Sequence, residues 1–156
     1  MTTIQAAGRV QAPRASVFEF LSNLDNHWLL ADRFVEVVSL DGGSGGRVRV
    51  RGPAGISRVA DTTIDSVDPP HTISGTARVG EETTAGVSWQ LEDDGDDGTH
   101  VRITATVLEA SPGDRLLLTL GGQAWLERSF GRILDALEEQ LSRGASPQGP
   151  PSADAR

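Results

Sequence analysis

From Phe34 to Ala110 the chain alternates apolar and polar residues, and its breaks are too short to hold a helix. This constrains the fold more than any other feature. Parallel neighbours need crossovers of a dozen or more residues, whereas antiparallel neighbours need only a turn. The alternating blocks predict strands at Phe34–Asp41, Arg47–Gly52, Ser57–Asp68, His71–Val79, Thr84–Glu92 and Thr99–Ala110. Gly42–Gly46, Pro69-Pro70 and the acidic run Glu92–Gly98 punctuate them. The prediction is therefore an antiparallel meander with one apolar face, which must be covered.

The flanks supply the cover. Ile4, Ala6, Gly8 and Val10 alternate as a first strand, and Pro13 opens a short helix carrying Val17, Phe18, Phe20 and Leu21. Asn23–Leu30 predicts a second short helix. After Ser111-Pro112-Gly113 the period becomes helical, with Leu126, Phe130, Ile133, Leu137 and Leu141 on one stripe. A helix from Asp114 to Arg143 would be ~45 Å long, with a bend expected at Gly121-Gly122. The predicted class is α+β, a curved sheet of about seven strands around a long C-terminal helix, with two short helices after strand 1. Residues 1–143 are expected to form one ligand-binding domain, and 144–156, rich in Gly, Ser, Pro and Ala, a disordered tail.

Composition narrows the function. The 156 residues include no cysteine, which excludes disulfides, thiolate metal sites and a cysteine nucleophile. The net charge of −8 argues against a nucleic-acid partner. All 14 basic residues are arginines, scattered rather than clustered, as in a GC-rich coding sequence. No apolar run approaches a membrane span and no signal peptide is read, so a cytoplasmic location is expected.

Four stretches, in order, carry a family resemblance: Ala12–Asn23, Val67-Asp68-Pro69-Pro70-His71-Thr72-Ile73, Trp89–Glu92 with Gly98–Val101, and Leu134–Leu141. Over residues 3–143 the chain resembles the polyketide cyclase/dehydrase branch of the START-like (helix-grip, SRPBCC) superfamily. That resemblance implies an apolar cavity between helix and sheet for lipids, polyketides or aromatic compounds, without a cofactor. Some such proteins are cyclases or aromatases and many only bind. It implies no fixed catalytic set, and the absence of Tyr removes phenolic hydroxyls from the pocket.

Strand phase then nominates residues. Trp89, Thr62, Gly75, Ala77 and Arg58 share the inward face, while Asp61 and Asp65 point outward unless a bulge intervenes. Arg58 either orients a ligand's anionic end or lies at the strand's end and reaches water. Gly75 and Ala77 either admit the helix or leave room for a ligand. Trp28 and Trp125 are placed to border the same space. His27 is a candidate general base with Asp25 or Asp32 beside it, against the plainer expectation of a surface histidine. His71 and His100 are expected to face solvent. The acidic run lacks the terminal Glu and flanking helices of a calcium loop, the glycine run enters a strand rather than a helix, and no Gly-x-Ser-x-Gly occurs. Three functions stay open: a binder of a small apolar molecule, a cofactor-independent cyclase, dehydratase or aromatase in which Arg58, Thr62 and His27 assist, and a protein-interaction module.

Overall fold

The computed structural model describes residues 2–31, 33–52 and 55–145. Its element order is β1 (Thr3–Val10), α1 (Arg14–Leu21), α2 (Leu24–Leu30), β2 (Val35–Asp41), β3 (Gly45–Arg51), β4 (Ser57–Asp68), β5 (Thr72–Val79), β6 (Thr83–Asp93), β7 (Thr99–Glu109), α3 (Pro112–Leu117) and α4 (Gln123–Ala145). The predicted class and order hold, with strand ends shifted by a residue or two. The seven strands form one antiparallel sheet in the order β1-β7-β6-β5-β4-β3-β2. Only β1 leaves its sequential place, because α1 and α2 carry the chain from one edge of the sheet to the other.

Local chemistry sets the ends of the elements. The Asn23 side chain accepts from the Asp25 amide at 3.0 Å and caps α2. Ser111 caps α3 in the same way, and Pro112 follows it as the first helical residue. The expected bend is real: between α3 and α4 the backbone leaves helical geometry at Leu120 (φ −87°, ψ 24°) and Gly121 (φ +113°). That conformation suits a residue without Cβ. The acidic run is a hairpin turn, held to the body by Arg9 and Arg14 pairing with Asp94 and Asp93. The expected tail from residue 144 begins inside α4, which runs to Ala145, and 146–156 lie outside the described residues.

The core lies between sheet and helices. Ile73, Trp89, Leu91, Val101 and Ile103 from the sheet meet Val17, Leu21, Ile133 and Leu137 from the helices, all buried. The helix α4 runs nearest to β1 and α2 rather than to the middle of the sheet. A Cβ built on Gly8 of β1 would lie 3.9 Å from Leu134 Cδ1, an ordinary contact distance, so α4 stands close over the strand there. No helix among the described residues is long and apolar enough to cross a membrane.

Candidate functional site

Strand register arranges the inward side chains in rows across the sheet. Ile73, Trp89 and Ile103 form one bulky row. The next row is Ile64, Gly75, Val87, Ala105 and Ile4. The third is Thr62, Ala77, Ala85 and Val107. Beyond it lie Ala60, Val79 and Thr83. Bulk is thus concentrated at one end and small residues fill the middle. With α4 seated over β1, the middle is left open as a cavity of about 370 Å³. Trp125, Leu126, Phe130 and Ile133 roof it. Phe34 meets Trp125 edge-on, with centroids 5.6 Å apart. A second hollow is a groove outside, between β1 and α4, edged by Arg9, Arg128, Arg132, Asp135 and Glu138. The apolar cavity has the character of a small-molecule site.

The cavity wall includes Trp28, Arg58, Thr62, Gly75, Ala77, Trp89 and Trp125, as well as His27. Their circumstances go beyond expectation at three places. His27 is not a surface histidine. Its ring is partly buried edge-on to Trp89, centroids 5.5 Å apart, and its Nε2 lies 2.7 Å from the Leu21 carbonyl oxygen. A backbone carbonyl only accepts, so Nε2 carries the proton and Nδ1 is the acceptor. Burial pushes the pKa below its ordinary value of 6.5, against the raising effect of the Leu21 bond, so the imidazole is held neutral. The ring's bonded partner is this carbonyl rather than Asp25, and Asp32 lies outside the described residues.

Arg58 lies at the start of β4 with its side chain half exposed, and there it is paired. Its Nη2 donates to Asp114 Oδ1 at 2.9 Å and Nε to the same oxygen at 3.2 Å. Thr83 donates to the other carboxylate oxygen, and the Ser111 amide donates to the Thr83 hydroxyl at 3.1 Å. Desolvation opposes the Asp114 charge most, but the bonds from Thr83, Arg58 and Ser111 together outweigh it and hold the pKa below the ordinary range. With Arg58 half exposed, the pair adds little stability by itself. Its geometric effect is to tie the start of α3 to β4 and β6 at the cavity's mouth. Thr83 and Asp114 were not anticipated. Ser111 and Asp114 carry a helix-start signal three residues apart, but their cross-sheet partners are invisible in sequence.

Gly75 has a third reason to be small. A Cβ there would overlap the Thr63 carbonyl oxygen. It faces the register shift between Ile64 and Ser66, so the sheet bends where Gly75 sits. Even with that bulge Asp65 stays outside, where Thr63 and Thr76 donate to its carboxylate. Asp61 likewise pairs with Arg47 outside, at 2.7 Å. His71 is exposed as expected, and His100 is half-buried.

Most polar groups on the wall are engaged. The Thr62 hydroxyl donates to the Gly46 carbonyl at 3.1 Å. Two buried atoms have no partner among the described residues: Trp28 Nε1 and Asp25 Oδ1, both on α2. Leaving such a group unpaired costs about 1–3 kcal/mol. Among the described residues no group of three or more His, Cys, Asp or Glu is placed to hold a metal ion.

A seven-stranded sheet, a helix laid across it and an apolar hollow between them match what comparison finds. The family model described as polyketide cyclase / dehydrase and lipid transport matches residues 1–142. The chain belongs to this family. No curated protein matches it. Among solved structures, this family member is similar to the Zhui aromatase/cyclase from Streptomyces sp. R1128, at TM-score 0.72 and 18% identity, covering 95% of this chain and 98% of that one. It is also similar to a protein from Thermus thermophilus, at TM-score 0.69 and 20% identity over 93% and 100%. A START superfamily protein from Mycobacterium smegmatis matches at TM-score 0.67 and 14% identity, over 92% and 99%. Identities this low establish the helix-grip, START-like fold of this family member and nothing finer.

Proposed function

We propose that the chain binds one small apolar molecule, aromatic or lipid-like, in the cavity between the sheet and α4. The observation that carries this reading is the wall itself: about 370 Å³ surrounded mostly by Val, Ile, Leu, Ala, Phe and Trp, with its one charged pair closed on itself. Binding then draws its free energy from buried apolar area, roughly 25 cal/mol per Å². No cofactor enters the reading. Trp28, Trp89 and Trp125 all border the cavity and report on it. Apolar aromatic ligands are expected to shift or quench their emission saturably, and native mass spectrometry of the protein from its own host is expected to show a retained ligand. Arg58→Ala is expected to leave affinity for neutral ligands nearly unchanged. Absence of saturable binding across a broad apolar library would sink the proposal.

A second reading, a cyclase, dehydratase or aromatase, is favoured by one observation: a neutral histidine at the cavity wall whose Nε2 is bonded to a backbone carbonyl, which leaves Nδ1 as an acceptor. His27 would then take a proton from a bound polyketide-like substrate. A product of altered mass that disappears in a folded His27→Ala variant would establish it. Recovery of intact ligand after long incubation would leave the binder.

A further inference from the structure

The cavity's cover is held down in two different ways. Along α4, Leu134 and Leu137 are buried against the body of the protein. The stretch before it, residues 112–122, has no buried residue in α3 or in the bend, and its Leu116 and Leu120 are exposed. Leu117, Leu118 and Gly122 of this stretch nevertheless line the cavity. Burial of apolar surface therefore holds it less firmly than it holds α4. Among the described residues, every hydrogen bond from 112–122 to the sheet ends on one carboxylate. Arg58 of β4 donates to Asp114 Oδ1 at 2.9 Å, and Thr83 of β6 donates to Oδ2. Both ends of the stretch are joints: Ser111 is extended, at φ −64° and ψ 157°, and helical geometry breaks at Leu120 and Gly121. The paired glycines 121 and 122 resist rotation least of any residue type.

We propose that residues 112–122 are a flap over the cavity, that ligands enter and leave beneath it, and that the clasp of Asp114 on Arg58 and Thr83 holds it shut. This rests on the reading that the cavity holds an apolar ligand. Shut, the flap adds Leu117 and Leu118 to the apolar wall. Opening it breaks hydrogen bonds at a place where Arg58 is already half exposed, so water replaces them. Lifting α4 instead would strip the fully buried Leu137 from its neighbours. The easier path for a ligand is therefore past the clasp. Because both Asp114 oxygens are taken by the sheet, the clasp sets how fast a ligand passes rather than how tightly it rests.

The test is stopped-flow tryptophan emission with naphthalene, together with brief trypsin digestion. Arg115 is exposed in the middle of α3, and cutting after it requires the flap to leave its helical, clasped state. Asp114→Ala is expected to raise the association and dissociation rates together, on the order of tenfold, with affinity kept within about twofold. Thr83→Val keeps the side chain's shape, and is expected to raise both rates about threefold. Cutting after Arg115 is expected to quicken in both variants, and naphthalene to slow it in the unaltered protein. If Asp114→Ala does not fold, Thr83→Val decides alone. Unchanged rates beside faster cutting would show a loosened segment that ligands do not pass; that would overturn the flap and leave the cavity reading standing. A dissociation rate that rises alone, with affinity falling in step, would make Asp114 part of the ligand's wall and overturn the clasp. Failure of naphthalene to bind the unaltered protein would overturn both readings.

Discussion

At Gly8 and at Ala77 the sheet offers α4 the same thing, a nearly bare inward backbone, and the two places end differently. At Gly8 the helix comes down until Leu134 lies against the strand. At Ala77 it stands away, and the space between becomes the cavity. The difference lies in neither residue. α4 follows β1 at the sheet's edge, and a straight helix cannot also follow a sheet that curls away from it. The course of the helix therefore closes the structure at the seam and leaves it open in the middle. Gly75 belongs to a third case, required by the carbonyl of Thr63 rather than by helix or ligand.

The largest effect tests the seam. Leu137 is fully buried (0% exposed) and Leu134 nearly so (6%). Either change to Ala is expected to cost about 2–5 kcal/mol. Denaturant unfolding measures it, and losses no larger than those at the exposed Glu127 would dissolve the distinction between packed seam and open middle.

A smaller effect separates the glycine from its neighbours. Gly75→Ala is expected to destabilise by about 1–3 kcal/mol, because the new methyl meets backbone that cannot rotate aside. Ala77→Leu and Ala85→Leu put more atoms on the same wall yet point them into empty space. They are expected to leave the melting midpoint near its original value and to abolish naphthalene binding. Equal destabilisation by all three would mean that the middle of the sheet is as tightly packed as the seam.

The smallest effect is read from pH. Unfolded His27 takes a proton near 6.5, while the folded ring resists it. The contribution of its burial is therefore whole above that pH and declines as pH falls below it. Asp61, Asp65 and Asp114 have folded pKa values below the ordinary 3.8, so their contributions are lost only in more acid solution. Between about pH 7 and pH 5 the melting midpoint is expected to fall by a few degrees, and His27→Leu to flatten that fall. An unchanged slope in the variant would place His27 in water.

The architecture was legible in the sequence because alternation and helical period are local. They place Ile73, Trp89 and Ile103 on one face, and Leu126 to Leu141 on one stripe, with no knowledge of the fold. Phase also groups Arg58, Thr62, Gly75 and Ala77 correctly. What each does there was hidden, because their partners are distant in the chain. Asp114 lies 56 residues from Arg58, and phase says nothing about such a pair. The environment of His27 was hidden for the same reason: Trp89 belongs to a strand and His27 to a short helix, and only the folded sheet brings them together. The end of α4 was misplaced because Gly144 and Ala145 continue the helix despite their loop-like neighbours.

Along β3 the arginines 47 and 49 meet acidic neighbours outside while Val48 and Val50 line the cavity within. The strand β3 is thus two interleaved texts, one addressed to solvent and one to whatever the chamber contains. A lineage can revise the second by substituting alternate positions, exchanging one cargo for another, while the protein's outer coat stays the same to its neighbours. It can equally recharge the coat for a new milieu without touching its cargo. Gly75 is a place where the two texts share a letter, since its inward side is closed by the backbone of its neighbour, and it is there that divergence should be slowest.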